Sequence, residues 1–150
     1  MNQGITFPNE ILLANVAQSI ASGHSAVIPV KGISMHPFIH EGKDKVILYP
    51  PSDIRVGDVV LARLSSGQYL LHRVYQCDSP DSYILMGDGN VKITEHCSQS
   101  EIIAQALFLI DSKGRKKRLD SPWMRGAAMI WKMLLPVRGI LLKVYRKFIV

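Results

Sequence analysis

Ser34 stands in the run Val30-Lys31-Gly32-Ile33-Ser34-Met35-His36-Pro37, where Gly32 allows a close backbone approach and Pro37 stiffens the exit. A nucleophilic serine needs such a turn, tight and with backbone N–H groups able to meet a developing oxyanion. A base and an acid follow. His72 lies within the apolar run Leu70-Leu71-His72-Arg73-Val74-Tyr75, and Asp88 sits between glycines in Gly87-Asp88-Gly89-Asn90. On a strand, Leu71 and Arg73 face one way and His72 faces the other with Leu70 and Val74. In chain order, Ser34, His72 and Asp88 make a nucleophile, a general base and an acid to orient it. Each has an ordinary reading when taken alone: Gly-x-Ser before proline is a common turn, a strand histidine is usually packed, and Asp between glycines favours a β-turn.

The elements that must position these residues are short. Ile11 to Ala21 places apolar residues at 11, 12, 13, 16, 17 and 20, with Gly23 as a stop, which predicts an amphipathic helix opened by Pro8, Asn9 and Glu10. From Ala26 to Ile110 six β-branched runs stand between Gly, Pro, Asp and Ser: AVIPV, KVILY, DVVLARL, YLLHRVY, SYILM and IIAQALFLI. They predict a mainly antiparallel β domain. Ser65-Ser66-Gly67 is expected to join two of them as a hairpin, and residues 78–82 to form a loop.

With 150 residues, 47% of them hydrophobic, one ordinary domain is the natural size, and disorder over the whole chain is excluded. The net charge of +6 is unevenly spread. Residues 1–110 carry seven Lys/Arg and ten Asp/Glu, a net of −3, whereas residues 111–150 carry eleven basic residues against Asp111 and Asp120, a net of +9. The basic tail therefore calls for an anionic partner of its own. Residues 111–122 read as a polar, basic turn. Residues 123–150 hold no acid and read as a basic amphipathic helix, kinked at Pro136, with Arg125, Lys132, Lys143, Arg146 and Lys147 on one side and Arg138 on the other. Its charges are too closely spaced for a membrane span. It fits a helix lying in an anionic membrane surface with Trp123, Trp131, Tyr145 and Phe148 at headgroup depth, or equally one packed on the β domain or on a second subunit. Nucleic acid is not expected: the five basic residues from Lys113 to Arg118 read as a solvated tip.

The two cysteines, Cys77 and Cys97, cannot build a disulfide scaffold, and no secretory signal is evident near the N-terminus, so a reduced, cytoplasmic setting is expected, on the inner face of the membrane if the tail binds there. His36 and His40, or Cys77, His96 and Cys97, could approach a metal, but neither set has zinc-finger spacing, and no metal or cofactor is expected.

Gly-x-Ser-Met-x-Pro, then Gly57-Asp58-Val59-Val60, then His72-Arg73-Val74, then Gly87-Asp88-Gly89-Asn90 resembles the ordered motif set of the signal peptidase I and LexA-type serine peptidase superfamily, over about residues 26–110. The base in that superfamily precedes an Arg-Val pair, and His72 there resembles the Ser-His branch of endoplasmic-reticulum-type signal peptidases. The resemblance implies a mainly β (α+β) fold of the LexA/signal peptidase type, with residues 1–122 as the peptidase-like domain and 123–150 as the added helix. It implies that Ser34 attacks the scissile carbonyl, that His72 takes its proton and that the Ser34 N–H serves the oxyanion. Gly32, Ile33, Met35 and Pro37 are the expected substrate contacts. Signal peptidases usually carry Ser-Gly-Ser-Met, so Gly32 and Ile33 remove one hydroxyl. The orienting acid is Asp88 by first choice and Glu95 by second. The implied activity is endopeptidase cleavage of a peptide or preprotein, of the leader or signal type. The alternatives are a LexA-like self-cleaving or dimerising regulator and a silent membrane-associated module.

Overall fold

The computed structural model describes residues 9–148. Helix α1 (Asn9–Ala21) follows the apolar spacing, and Pro8, expected at its start, lies outside the described residues. Leu13, Val16 and Ile20 are buried while Ile11 and Leu12 remain in solvent. Only the 13-16-20 stripe meets the sheet, as a helix on one face requires. Gly23, at φ 91°, ends the helix in a left-handed conformation that side chains disfavour.

All six expected strands form: β1 (Ala26–Pro29), β2 (Lys45–Tyr49), β3 (Val59–Arg63), β4 (Tyr69–Ser79), β5 (Ser82–Met86) and β7 (Ile102–Ile110). Two more join them, β6 (Glu95–Ser98) and β8 (Lys116–Arg118). Every pairing is antiparallel, in the order β1-β2-β7-β3-β4-β5-β6, with β8 added to β7. Residues 78–82 are tighter than a loop, because β4 continues to Ser79 and turns at once into β5. β8 lies within the segment expected to be only a turn. Its basic residues largely answer local partners: Arg115 pairs with Asp111, Arg118 with Asp120, and Lys116 lies 4.2 Å from the centre of the Phe108 ring.

Two apolar clusters hold the domain together. Leu13, Ile28, Val46, Leu48, Leu61, Leu71 and Ala104 belong to one, and Val60, Leu70, Val74, Tyr83 and Leu85 to the other. Leu71 thus packs apart from Leu70 and Val74, the alternation expected of a strand. Cys77 is exposed, Cys97 is buried, and both are free thiols. Burial pushes the Cys97 thiol up to about 11, with Glu101 and Glu95 adding to the effect.

The tail departs from expectation. It is two helices, α2 (Pro122–Met133) and α3 (Leu135–Phe148), and Pro136 stands in the first turn of α3, where its missing N–H costs nothing, instead of kinking a single helix. Ser121 caps α2 by accepting the Met124 N–H at 3.2 Å. The orientation is also inverted relative to a basic face in solvent. Arg125 donates to Val56 O and pairs with Asp58, Lys132 donates to Tyr75 O, and Arg138 is buried and donates to Asn90 O. Arg125, Lys132, Arg138 and Arg146 thus face the sheet domain, while Lys143, Lys147 and much of the apolar side are in solvent. No helix among the described residues is long and apolar enough to cross a membrane.

Candidate active site

Three chain segments converge on one hydrogen-bonded line. Ser34 lies in the turn that leaves β1, tightened by N–H bonds from His36 to Ile33 O and from Phe38 and Ile39 to Met35 O. His72 sits mid-strand in β4, fully buried, opposite Val60 of β3. Glu95 opens β6. His72 Nε2 lies 3.2 Å from Ser34 Oγ, and His72 Nδ1 lies 2.8 Å from Glu95 Oε1. A carboxylate accepts but cannot donate, so the Nδ1 proton goes to Glu95 and the Nε2 lone pair is left for the Ser34 hydroxyl.

Glu95, the second choice, is therefore the acid on the histidine, and Asp88 is not. The Asp88 carboxylate is taken by Arg73, with Arg73 Nε to Oδ1 at 2.9 Å and Nη2 to Oδ2 at 2.7 Å. Neighbours on a strand point to opposite faces, so His72 and Arg73 divide the two carboxylates between them. Arg73 also donates to Gly57 O at 2.9 Å, tying the Gly-Asp-Gly loop to the start of β3. Asp58 does structural work as well: it accepts the Arg55 N–H at 2.8 Å, a 3.3 Å bond from Gln105 Nε2, and the guanidinium of Arg125.

The Gly87–Asn90 loop presses directly on the serine turn. The Gly89 N–H donates to Ser34 O at 2.7 Å. A Cβ on Gly87 would collide with Ser34 O and stand 3.1 Å from His72 Nε2, and one on Gly89 would stand 2.5 Å from Ile33 O. Both glycines are required for this approach. Three side chains of the tail fasten the outer side of the loop. Trp131 Nε1 donates to Asp88 O at 2.8 Å, Arg146 Nη2 to Gly89 O at 3.2 Å and Arg138 Nη1 to Asn90 O at 3.1 Å. Nothing in the sequence singled out these donors as part of the site, because a donor on a helix shows no partner until the carbonyl it meets is known.

Among the expected substrate contacts, Ile33 is exposed and Gly32 and Pro37 are half-buried. Met35 is 2% exposed, packs in the core with Ile28 and Ile39, and lines a crevice beside Ser34. Gly32, at φ 83°, is held by its N–H to Glu41 Oε1 at 2.9 Å. A narrow crevice lined by Ile28, Val30, Gly32 and Leu71 ends at Ser34. A separate cavity of about 160 Å³ lies between α2 and the sheet near Arg73, Arg125 and Arg138. Lys31 is exposed. His36 and His40 approach each other, ring centres 5.4 Å apart, and His40 meets Asp44 and the Tyr145 hydroxyl of α3. No group of three or more His, Cys, Asp or Glu among the described residues is placed to hold a metal ion.

The molecule is an antiparallel β domain that brings a turn serine, a strand histidine and a carboxylate into one hydrogen-bonded line. The model of the Peptidase S24-like family matches residues 2–107, and the chain belongs to that family. This agrees with the resemblance to the LexA and signal peptidase superfamily, and the fold is mainly β of that type. No curated protein and no solved structure matches the chain. The family match ends before β8, so α2 and α3 lie beyond it.

Proposed function

We propose that the protein is a serine endopeptidase that cleaves a peptide or preprotein, in processing of the leader or signal type, with Ser34 as nucleophile, His72 as general base and Glu95 as its orienting carboxylate. The observation that carries this reading is the continuous contact from Ser34 Oγ through His72 to Glu95, at 3.2 and 2.8 Å. Ser34 Oγ attacks the scissile carbonyl as His72 Nε2 takes its proton, and Glu95 stabilises the imidazolium that results. His72 then gives the proton to the departing amine, and water, deprotonated by the same nitrogen, releases the acyl group from Ser34. Full burial of His72 keeps competing water off the ring and strengthens its pairing with Glu95. The Ser34 N–H is the assigned oxyanion donor.

The substrate's place follows from topology. β1 is an edge of the sheet, pairing only with β2 among the described strands, and leads straight into the serine turn. An extended peptide can add to this edge and bring its scissile bond to Ser34. Wild-type and Ser34→Ala proteins incubated with a diverse peptide library and read by mass spectrometry test the reading. Cleavage by the wild type alone is expected, with fragments defining the residues preferred beside the bond, and an active Ser34→Ala protein overturns it. Intact masses from the same samples separate action on added peptides from cleavage of the chain itself.

A further inference from the structure

We infer that α2 and α3 form a docking face for an anionic lipid surface, and that this face holds the Ser34 turn at that surface. The inference rests on the helices alone and stands or falls apart from the peptidase reading. On α2 the exposed apolar residues are Trp123, Met129, Ile130 and Met133, which fall within about 120° of arc at 100° per residue. On α3 they are Val137, Ile140, Leu141, Val144 and Phe148, within about 100°. Trp123 is 81% exposed, Met133 74% and Phe148 73%. The opposite arcs carry Arg125, Ala128 and Lys132 on α2 and Arg138, Leu142 and Arg146 on α3, which are buried or bonded to the sheet domain. Both helices are thus anchored through these arcs and present two apolar stripes outward.

The occupant is identified by charge. Lys143 and Lys147 are exposed and flank one edge of the α3 stripe, and neither helix contains an Asp or Glu. A second copy meeting this face would bring only the same acid-free helices, with no carboxylate to answer the lysines. A bilayer with anionic headgroups suits both features: acyl chains receive the Trp, Ile, Val and Phe side chains while the lysines reach phosphate depth. Val91, next to the Gly87–Asn90 loop, lies beside Gly139 on the anchored side of α3, so the helix that carries the stripe also meets the loop that presses on Ser34. Arg146 joins the same helix to Gly89.

The test uses the full chain with vesicles of phosphatidylcholine alone or mixed with phosphatidylglycerol, followed by co-sedimentation and tryptophan emission. Binding to the mixed vesicles that weakens with salt is expected, with a blue shift that is lost in Trp123→Phe. Ile140→Asp/Val144→Asp, both at exposed positions, should abolish binding with an unchanged circular dichroism spectrum. Lys143→Gln/Lys147→Gln, which removes two charges and no apolar contact, should weaken binding about thirtyfold. No binding to mixed vesicles, equal binding to both vesicle types, or a concentration-dependent dimer that Ile140→Asp/Val144→Asp dissolves would overturn the inference. Ser34→Ala protein should bind as wild type does, so a failed peptidase assay leaves this test intact.

Discussion

Two carboxylates seven residues apart, Asp88 in the glycine loop and Glu95 at the start of β6, have exchanged the roles that their surroundings in the sequence suggest. Asp88 stands in the conspicuous motif, yet it is spent on Arg73 and so fixes the loop to β4. Glu95 stands in an unremarkable segment and reaches His72 at 2.8 Å. A motif residue can thus serve the scaffold of a site while the contact to the histidine falls to a neighbour that β-pairing brings across. β6 pairs with β5, and β5 with β4, so Glu95 reaches its place through two strand registers that no local pattern encodes.

The comparison breaks most sharply at Glu95. Glu95→Gln, which keeps the size but lets an amide face Nδ1, should lower kcat about 10⁴-fold with little change in thermal stability, measured on any substrate from the library. Asp88→Asn should show the opposite balance. It leaves the buried Arg73 guanidinium without its counter-charge, costs about 3–5 kcal/mol of stability and lowers Tm by about 10 °C, read by calorimetry. A larger kcat loss in Asp88→Asn than in Glu95→Gln would reverse the assignment.

Next in size is the clamp from the tail. Arg146→Ala removes the donor to Gly89 O, loosening the loop that backs the Ser34 turn, and kcat should fall about tenfold to a hundredfold while KM holds. Arg146→Lys should restore part of the rate, which a purely structural defect would not show. Arg146 is in this sense a positioning residue.

The smallest effect concerns His36. Its burial, and then the neighbouring His40, hold its pKa below the ordinary 6.5. The unfolded chain therefore takes up a proton more readily, so the stability contributed by neutral His36 is complete above pH 6.5 and is lost as pH falls through its folded-state value. The drop in Tm between pH 7.5 and 5.5 should be smaller in His36→Phe by about 2–4 °C.

Much of the scaffold was legible because strands and hairpins declare themselves locally. The six β-branched runs each became a strand, and the 13-16-20 spacing gave α1 its buried face. Ser34 and His72 were legible as a pair because ordered motifs surround them. β6 was not, since Glu-His-Cys-Ser is too short and polar for a periodicity argument and forms by pairing with β5. The partners of the tail were not legible for a related reason. Acid-free composition left membrane surface and sheet domain equally open, and backbone carbonyls of the sheet domain accept Lys132, Arg138 and Arg146 as a carboxylate would. Carbonyls exposed in loops leave no mark in composition.

Whether Ser34 is a nucleophile activated through His72 and Glu95 is read most directly by covalent labelling with a serine-reactive fluorophosphonate, which needs no knowledge of the natural substrate. A single adduct is expected, mapped by peptide mass spectrometry to Ser34, forming much faster in folded Asp88→Asn than in His72→Ala and Glu95→Gln. An adduct elsewhere, or labelling of Ser34 at the same rate in His72→Ala as in the wild type, would contradict that role for Ser34.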